Sequence, residues 1–216
     1  MNRFQTALST VALLVAGLSG AGCTPGGVGD PCTPEDEYGL KFPGYAVEEV
    51  NVEAMSFQCE TRLCLVNHFQ GRVSCPYGQQ PVVDASGAVT PVPLTGNPCY
   101  IPDGSKTNVV DANVEVKPQL FGRKAKDAVY CSCRCAGPDK NARYCQCPSG
   151  YACTLLNEIP LGADQLLGSY CVRNGTAYDA TKTSLTTCKP TGPDTLCPSE
   201  GCADKALNAG GPACTL

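Results

Sequence analysis

Seventeen cysteines in a chain of 216 residues constrain what it can fold into more than any other feature. They stand against a poor apolar inventory. Leu, Ile, Val and Phe make up about a fifth of the residues, near the level at which packed cores fail. Tryptophan is absent, and 23 glycines with 18 prolines favour turns over long elements. A chain that cannot bury enough apolar surface needs another restraint, and cross-links supply it by limiting the unfolded ensemble. The expected fold is small, disulfide-rich and mainly β. It has short strands and hairpins, long loops, and one short C-terminal helix from Glu200 to Asn208, capped by Ser199 and followed by Gly210.

The first 23 residues read as an export signal. Arg3 gives a short positive start, and Ala7 to Ser19 is an apolar run of about 13 residues, too short to span a bilayer. Gly20, Ala21 and Gly22 then lead to Cys23. This layout resembles a bacterial lipoprotein signal, which implies a lipid on Cys23 and removal of residues 1–22. The family's usual Leu three residues before the cysteine is Gly20 here. The rival reading is ordinary cleavage after Ala21, giving a periplasmic or secreted protein. Parity favours the lipid: without Cys23, sixteen cysteines remain, enough for eight bridges in an oxidising compartment.

Residues 23–31 carry the lipidated cysteine and a Gly-rich, flexible tether. Residues 32–75 form a first disulfide module with Cys32, Cys59, Cys64 and Cys75. Residues 76–98 are a Pro-rich linker. Residues 99–171 form a cysteine-dense second module with Cys99, Cys131, Cys133, Cys135, Cys145, Cys147, Cys153 and Cys171. Residues 172–216 are a C-terminal segment bonded through Cys188, Cys197, Cys202 and Cys214. The first and last groups are even and could close on themselves; the connectivity stays open.

Alternation at Val50, Val52 and Ala54, and at Ala112, Val114 and Val116, predicts half-buried strands. A hairpin spanning Val82 to Val89 turns at Asp84 to Gly87. In Cys131-Ser-Cys-Arg-Cys135 the period of two places three sulfurs on one strand face, with Cys145 and Cys147 on a return strand. A weak repeat links Cys59, Cys64, Asn67, Gly71 and Cys75 with Cys147, Cys153, Asn157, Gly168 and Cys171, which predicts two related hairpin modules.

The candidate chemistries are modest. A net charge of −4 and a pI near 5.0 exclude a basic nucleic-acid-binding face. The one basic cluster, Arg123, Lys124 and Lys126, reads as a solvated turn. The CxCxC and CxC run could wrap a soft metal as thiolates, but export favours disulfides there. No CxxC supports redox catalysis. His68 is the single histidine and has neither a nucleophile elbow nor a zinc-binding helix motif around it. Glu35, Asp36 and Glu37 lack the alternating ligands and glycine of a calcium loop and read as a surface loop. Lys140 or Arg143, in the loop after Cys135, could enter a trypsin-like protease. No catalytic, cofactor or metal residue is assigned.

Two resemblances complete the reading. Cys145-Gln-Cys-Pro-Ser-Gly150-Tyr151 is similar to the end of an EGF-like module, which implies a tight cross-linked turn; Cys153 follows far sooner than that family allows. Taken whole, the signal, the tether and Gly29-Asp-Pro-Cys-Thr-Pro34 resemble the cysteine-rich predicted lipoproteins of myxobacteria. That resemblance implies location and architecture only, an outer-membrane or cell-surface protein held to the membrane by its lipid. Read from its residues, the protein is expected to be non-catalytic. It would be structural, or bind a protein or glycan. The alternative is an exported protease inhibitor or hydrolase.

Overall fold

The computed structural model describes residues 25–93, 98–120, 122–156 and 166–181. Cys23, the leader, the helix expected at Glu200 to Asn208 and the cysteines from Cys188 to Cys214 lie outside them. Among the described residues, eight strands follow in order: β1 (Val50–Glu53), β2 (Leu63–Asn67), β3 (Gln79–Val83), β4 (Val89–Pro93), β5 (Val129–Ser132), β6 (Arg134–Ala136), β7 (Tyr151–Leu156) and β8 (Gly168–Arg173). A 3-10 turn spans Glu35–Tyr38, and a single helical turn, α1, spans Ala125–Ala128 just before β5. The strands form three antiparallel sheets, ordered β1-β2-β5, β3-β4 and β6-β8-β7. The fold is mainly β and disulfide-rich, as the composition requires.

Side-chain alternation explains the first sheet. Cys64 pairs with Cys131 and Val66 with Val129, so these four face one side. Leu65 pairs with Tyr130 and with Val52, and these face the other. Both faces are covered, which is why β5 is buried at every position. On the first face, Phe69, Tyr45, Val73, Ala125 and Ala128 pack with the Cys32–Cys64 and Cys59–Cys131 bridges. On the second, Leu156, Tyr170 and Val172 of the β6-β8-β7 sheet meet Val50, Val52, Leu65 and Tyr130. A third cluster gathers Val110 and Val116 around Cys75–Cys99. Two of the three clusters have cystine sulfur where a larger chain would place aliphatic carbon.

The hairpin matches expectation, and β1 does at Val50 and Val52, while Ala54 lies past its end in an exposed bend. Asp84 Oδ1 accepts from the amides of Ser86 and Ala88, and this closes the β3-β4 turn. Elsewhere the structure departs from expectation. Ala112 to Val116 is not a strand: Asp111 accepts from the Asn113 amide and turns the chain, leaving one bridge between Val116 and Gln79. The CxCxC run is not one strand, because the chain leaves the first sheet after Ser132 and joins the third at Arg134. Cys145 and Cys147 lie in irregular backbone, held by one bond from the Cys145 amide to the Arg134 carbonyl. The repeat fails in structure. β7 and β8 form a hairpin, whereas the chain after β2 runs without a strand to Cys75.

The N-terminal segment is strapped down rather than free. The Gly26 amide donates to the Gln58 carbonyl (2.8 Å) and the Glu60 amide to the Gly26 carbonyl (2.9 Å). Gly29 and Asp30 exchange main-chain bonds with Cys131, both at 2.8 Å. Gly29 has φ +99°, and a Cβ there would lie 2.3 Å from the Tyr151 hydroxyl, so only glycine lets the strap lie this close.

Candidate functional site

All twelve described cysteines are paired: Cys32–Cys64, Cys59–Cys131, Cys75–Cys99, Cys133–Cys145, Cys135–Cys153 and Cys147–Cys171. The first group therefore does not close on itself. Cys59 reaches β5, and Cys75 reaches Cys99. The three sulfurs of the CxCxC run go to three different partners. Sulfurs also crowd one another: Cys133, Cys145 and Cys171 lie within 4.8 Å, as do Cys135, Cys147 and Cys153. That spacing suits a metal, but a sulfur already bonded to sulfur is not the thiolate that ligation needs. The arrangement is a stack of cystines that locks β6, β7 and β8 together.

His68 follows β2 with φ 54°. Its Nδ1 lies 3.0 Å from the Val47 carbonyl oxygen, and its ring stacks on Tyr178 at 4.5 Å and 14°. The same corner holds Arg123, which is not on a solvated turn: it is 5% exposed. Its Nε donates to the His68 carbonyl at 2.8 Å, and its two terminal nitrogens donate to the carbonyls of Asn67 and Thr176. Arg123 thus joins the end of β2 to the segment after β8. The histidine belongs to this clamp, with contacts that fix its ring in place.

The acidic triplet divides. Glu37 is not on the surface but fully buried, its carboxylate accepting from the amides of Val73 and Ser74. Burial pushes its carboxyl above the ordinary range, against the pull of those amides and of Arg72. Glu35 and Asp36 stay at the rim of an open hollow of about 610 Å³, with Phe42, Tyr45, Asn51 and Glu53. Asp36 accepts from the Tyr45 hydroxyl at 3.2 Å and from the Asn51 amide at 3.4 Å. Glu53 accepts from the Glu35 amide at 2.9 Å. Burial, then the neighbouring Glu35 and Asp36, raise the Glu53 carboxyl. Burial, then the charges of Asp36, Glu37 and Glu49, push the Tyr45 phenol up. Phe42 meets Tyr45 edge to face at 4.8 Å. The hollow offers carboxylate acceptors beside flat apolar walls. Its members come from three separate stretches of chain, so no local motif announced it.

Lys140 and Arg143 are exposed on a loop closed by Cys133–Cys145. Asp139 organises it: its side chain accepts from the Asn141 amide (2.8 Å) and its carbonyl from the Tyr144 hydroxyl (2.7 Å). Lys140 sits in the turn itself, and Arg143 on the irregular stretch that leaves it.

Among the described residues, no helix is long and apolar enough to cross a membrane. The chain matches no protein-family model, and searches of curated proteins and of solved structures find no match.

Proposed function

We propose that this is an exported protein, anchored to the outer membrane or cell surface by a lipid on Cys23, and that it acts without catalysis. It is structural, or it binds a protein or glycan through its cross-linked loops. The observation that carries this reading is the complete oxidation of the twelve described cysteines, which fits an oxidising compartment outside the cytoplasm. Parity supports the anchor. Outside the described residues stand the four cysteines from Cys188 to Cys214, an even set, and Cys23. Loops held by bridges lose little entropy on association, which suits a binding platform.

Intact-mass analysis of native protein, alkylated before and after reduction, tests both parts. The expected product lacks residues 1–22, carries acyl mass on Cys23 and takes up no alkylating agent until it is reduced. A retained leader, or ready alkylation of the unreduced protein, would sink the reading.

A second reading draws on the Cys133–Cys145 loop. Its exposed Lys140 and Arg143, on a bridged loop, suit insertion into a protease that cleaves after basic residues. Inhibition of trypsin by the purified protein, lost in Lys140→Ala or Arg143→Ala, would favour that reading over a purely structural role.

A further inference from the structure

The strap after Cys23 ends beside an unusually bare apolar turn. Met55 and Phe57, between β1 and β2, are 74% and 77% exposed. Phe57 immediately precedes Gln58, whose carbonyl receives the Gly26 amide, and Glu60 donates back to Gly26. Gly26 is three residues from Cys23. At about 3.8 Å per Cα step, Cys23 can lie no more than about 11 Å from Gly26. Single exposed apolar side chains are ordinary on a protein surface and imply nothing alone. Here two of them lie on the turn to which Gly26, three residues along the chain from the proposed lipid attachment point, is tied.

We infer that the Met55–Phe57 turn rests on the lipid bilayer, as a second contact beside the acyl chains on Cys23. This rests on the anchor proposed above. Arg62 lies with its guanidinium 4.7 Å from the centre of the Phe57 ring. An aromatic ring paired with a cation fits the interface, where the ring enters the acyl boundary and the charge stays with the phosphates. Glu60, exposed on the same turn, offsets the charge of Arg62, so apolar contact drives the seating and an anionic surface is not required. The consequence is orientation. The domain does not swing on a tether; it presents a fixed face away from the membrane.

The absence of tryptophan from the chain makes the test direct, since Phe57→Trp adds a single reporter. Native lipidated protein carrying it is reconstituted into vesicles of phosphatidylethanolamine and phosphatidylglycerol. Its emission is expected to shift to shorter wavelength and to be quenched when brominated acyl chains are introduced. Met55→Trp is expected to behave alike and guards against a local fault in the first variant. Val83→Trp, at a position 65% exposed on the β3-β4 hairpin, is expected to stay unquenched. If Cys23 carries its lipid but the emission of the Phe57→Trp and Met55→Trp variants does not respond, the turn is not at the bilayer, while the anchor stands. Equal quenching of the Phe57→Trp and Val83→Trp variants would also overturn the fixed orientation. If Cys23 carries no lipid, the anchor itself fails, and this inference with it.

Discussion

The Arg72 guanidinium donates to the main-chain carbonyl of Glu37, and the Glu37 carboxylate returns to the amides of Val73 and Ser74, the two residues that follow Arg72. Both partners are fully buried. Arg72 also reaches the carbonyls of Gly39 and Phe42 (3.4 Å each), so one side chain serves three carbonyls of the 37–42 loop. Arg72→Met keeps the stem but orphans those acceptors and leaves the Glu37 carboxyl without its cation. Each buried acceptor left without its donor costs about 1–3 kcal/mol. Denaturant unfolding of the oxidised protein should show a loss in that range. A loss under about 1 kcal/mol, the scale of an exposed ion pair, would mean that water replaces Arg72 without cost.

Glu37 gives the pH dependence a sign. Burial raises its carboxyl above the ordinary 4.5. A raised folded-state value means that the fold binds the proton more tightly than the unfolded chain does. Its stabilising contribution is therefore complete below pH 4.5 and is lost as pH rises through the folded-state value. Glu37→Gln imitates the protonated group at every pH. The stability of wild type relative to Glu37→Gln should fall as pH rises from about 4 towards about 8, read by denaturant midpoints. The opposite slope would show that the Val73 and Ser74 amides and Arg72 outweigh burial.

What the sequence made legible was local. Val50 and Val52 betrayed β1 through alternation, and Asp84 with Gly87 betrayed the hairpin through turn chemistry. The split at Cys133 was hidden, because a period of two continues through CxCxC whether one strand or two carries it. The bridges were hidden too, since Cys59 meets Cys131 only once β2 has paired with β5. Arg123 and Glu37 defeat a surface reading, and Arg72 escapes notice, for one shared reason. Charge predicts the surface on average, and only the folded chain supplies the carbonyls and amides that make burial tolerable.

Bridge length ranks the disulfides. Cys59 and Cys131 are 72 residues apart, Cys133 and Cys145 only 12. In the chain-entropy model the longer loop contributes about 4 kcal/mol and the shorter about 3 kcal/mol. The longer bridge is also buried in the first core, so its removal leaves a void as well. The double variant Cys59→Ala/Cys131→Ala should therefore lose more stability than Cys133→Ala/Cys145→Ala. Full reduction should abolish the folded circular dichroism spectrum and protease resistance. Survival of both after reduction would show that the apolar clusters suffice without sulfur.

Gly71 and Gly87 share a conformation and differ in surroundings, which separates backbone strain from crowding. Gly71 has φ +88° and Gly87 φ +82°, both in the region that disfavours a Cβ. At Gly87 a Cβ would meet nothing within 4 Å, so Gly87→Ala should cost only the backbone term, about 1–2 kcal/mol. At Gly71 the added carbon would lie 2.3 Å from the Lys117 carbonyl oxygen, and Gly71 also exchanges two main-chain bonds with Tyr45 (2.9 Å each). The backbone there cannot retreat without breaking that pairing and disturbing Arg72 next to it. Gly71→Ala should cost more than Gly87→Ala by at least about 1–3 kcal/mol, the range for overpacking a filled site. Thermal melts of the two oxidised variants measure the difference, and equal melting temperatures would show that the segment around Lys117 yields.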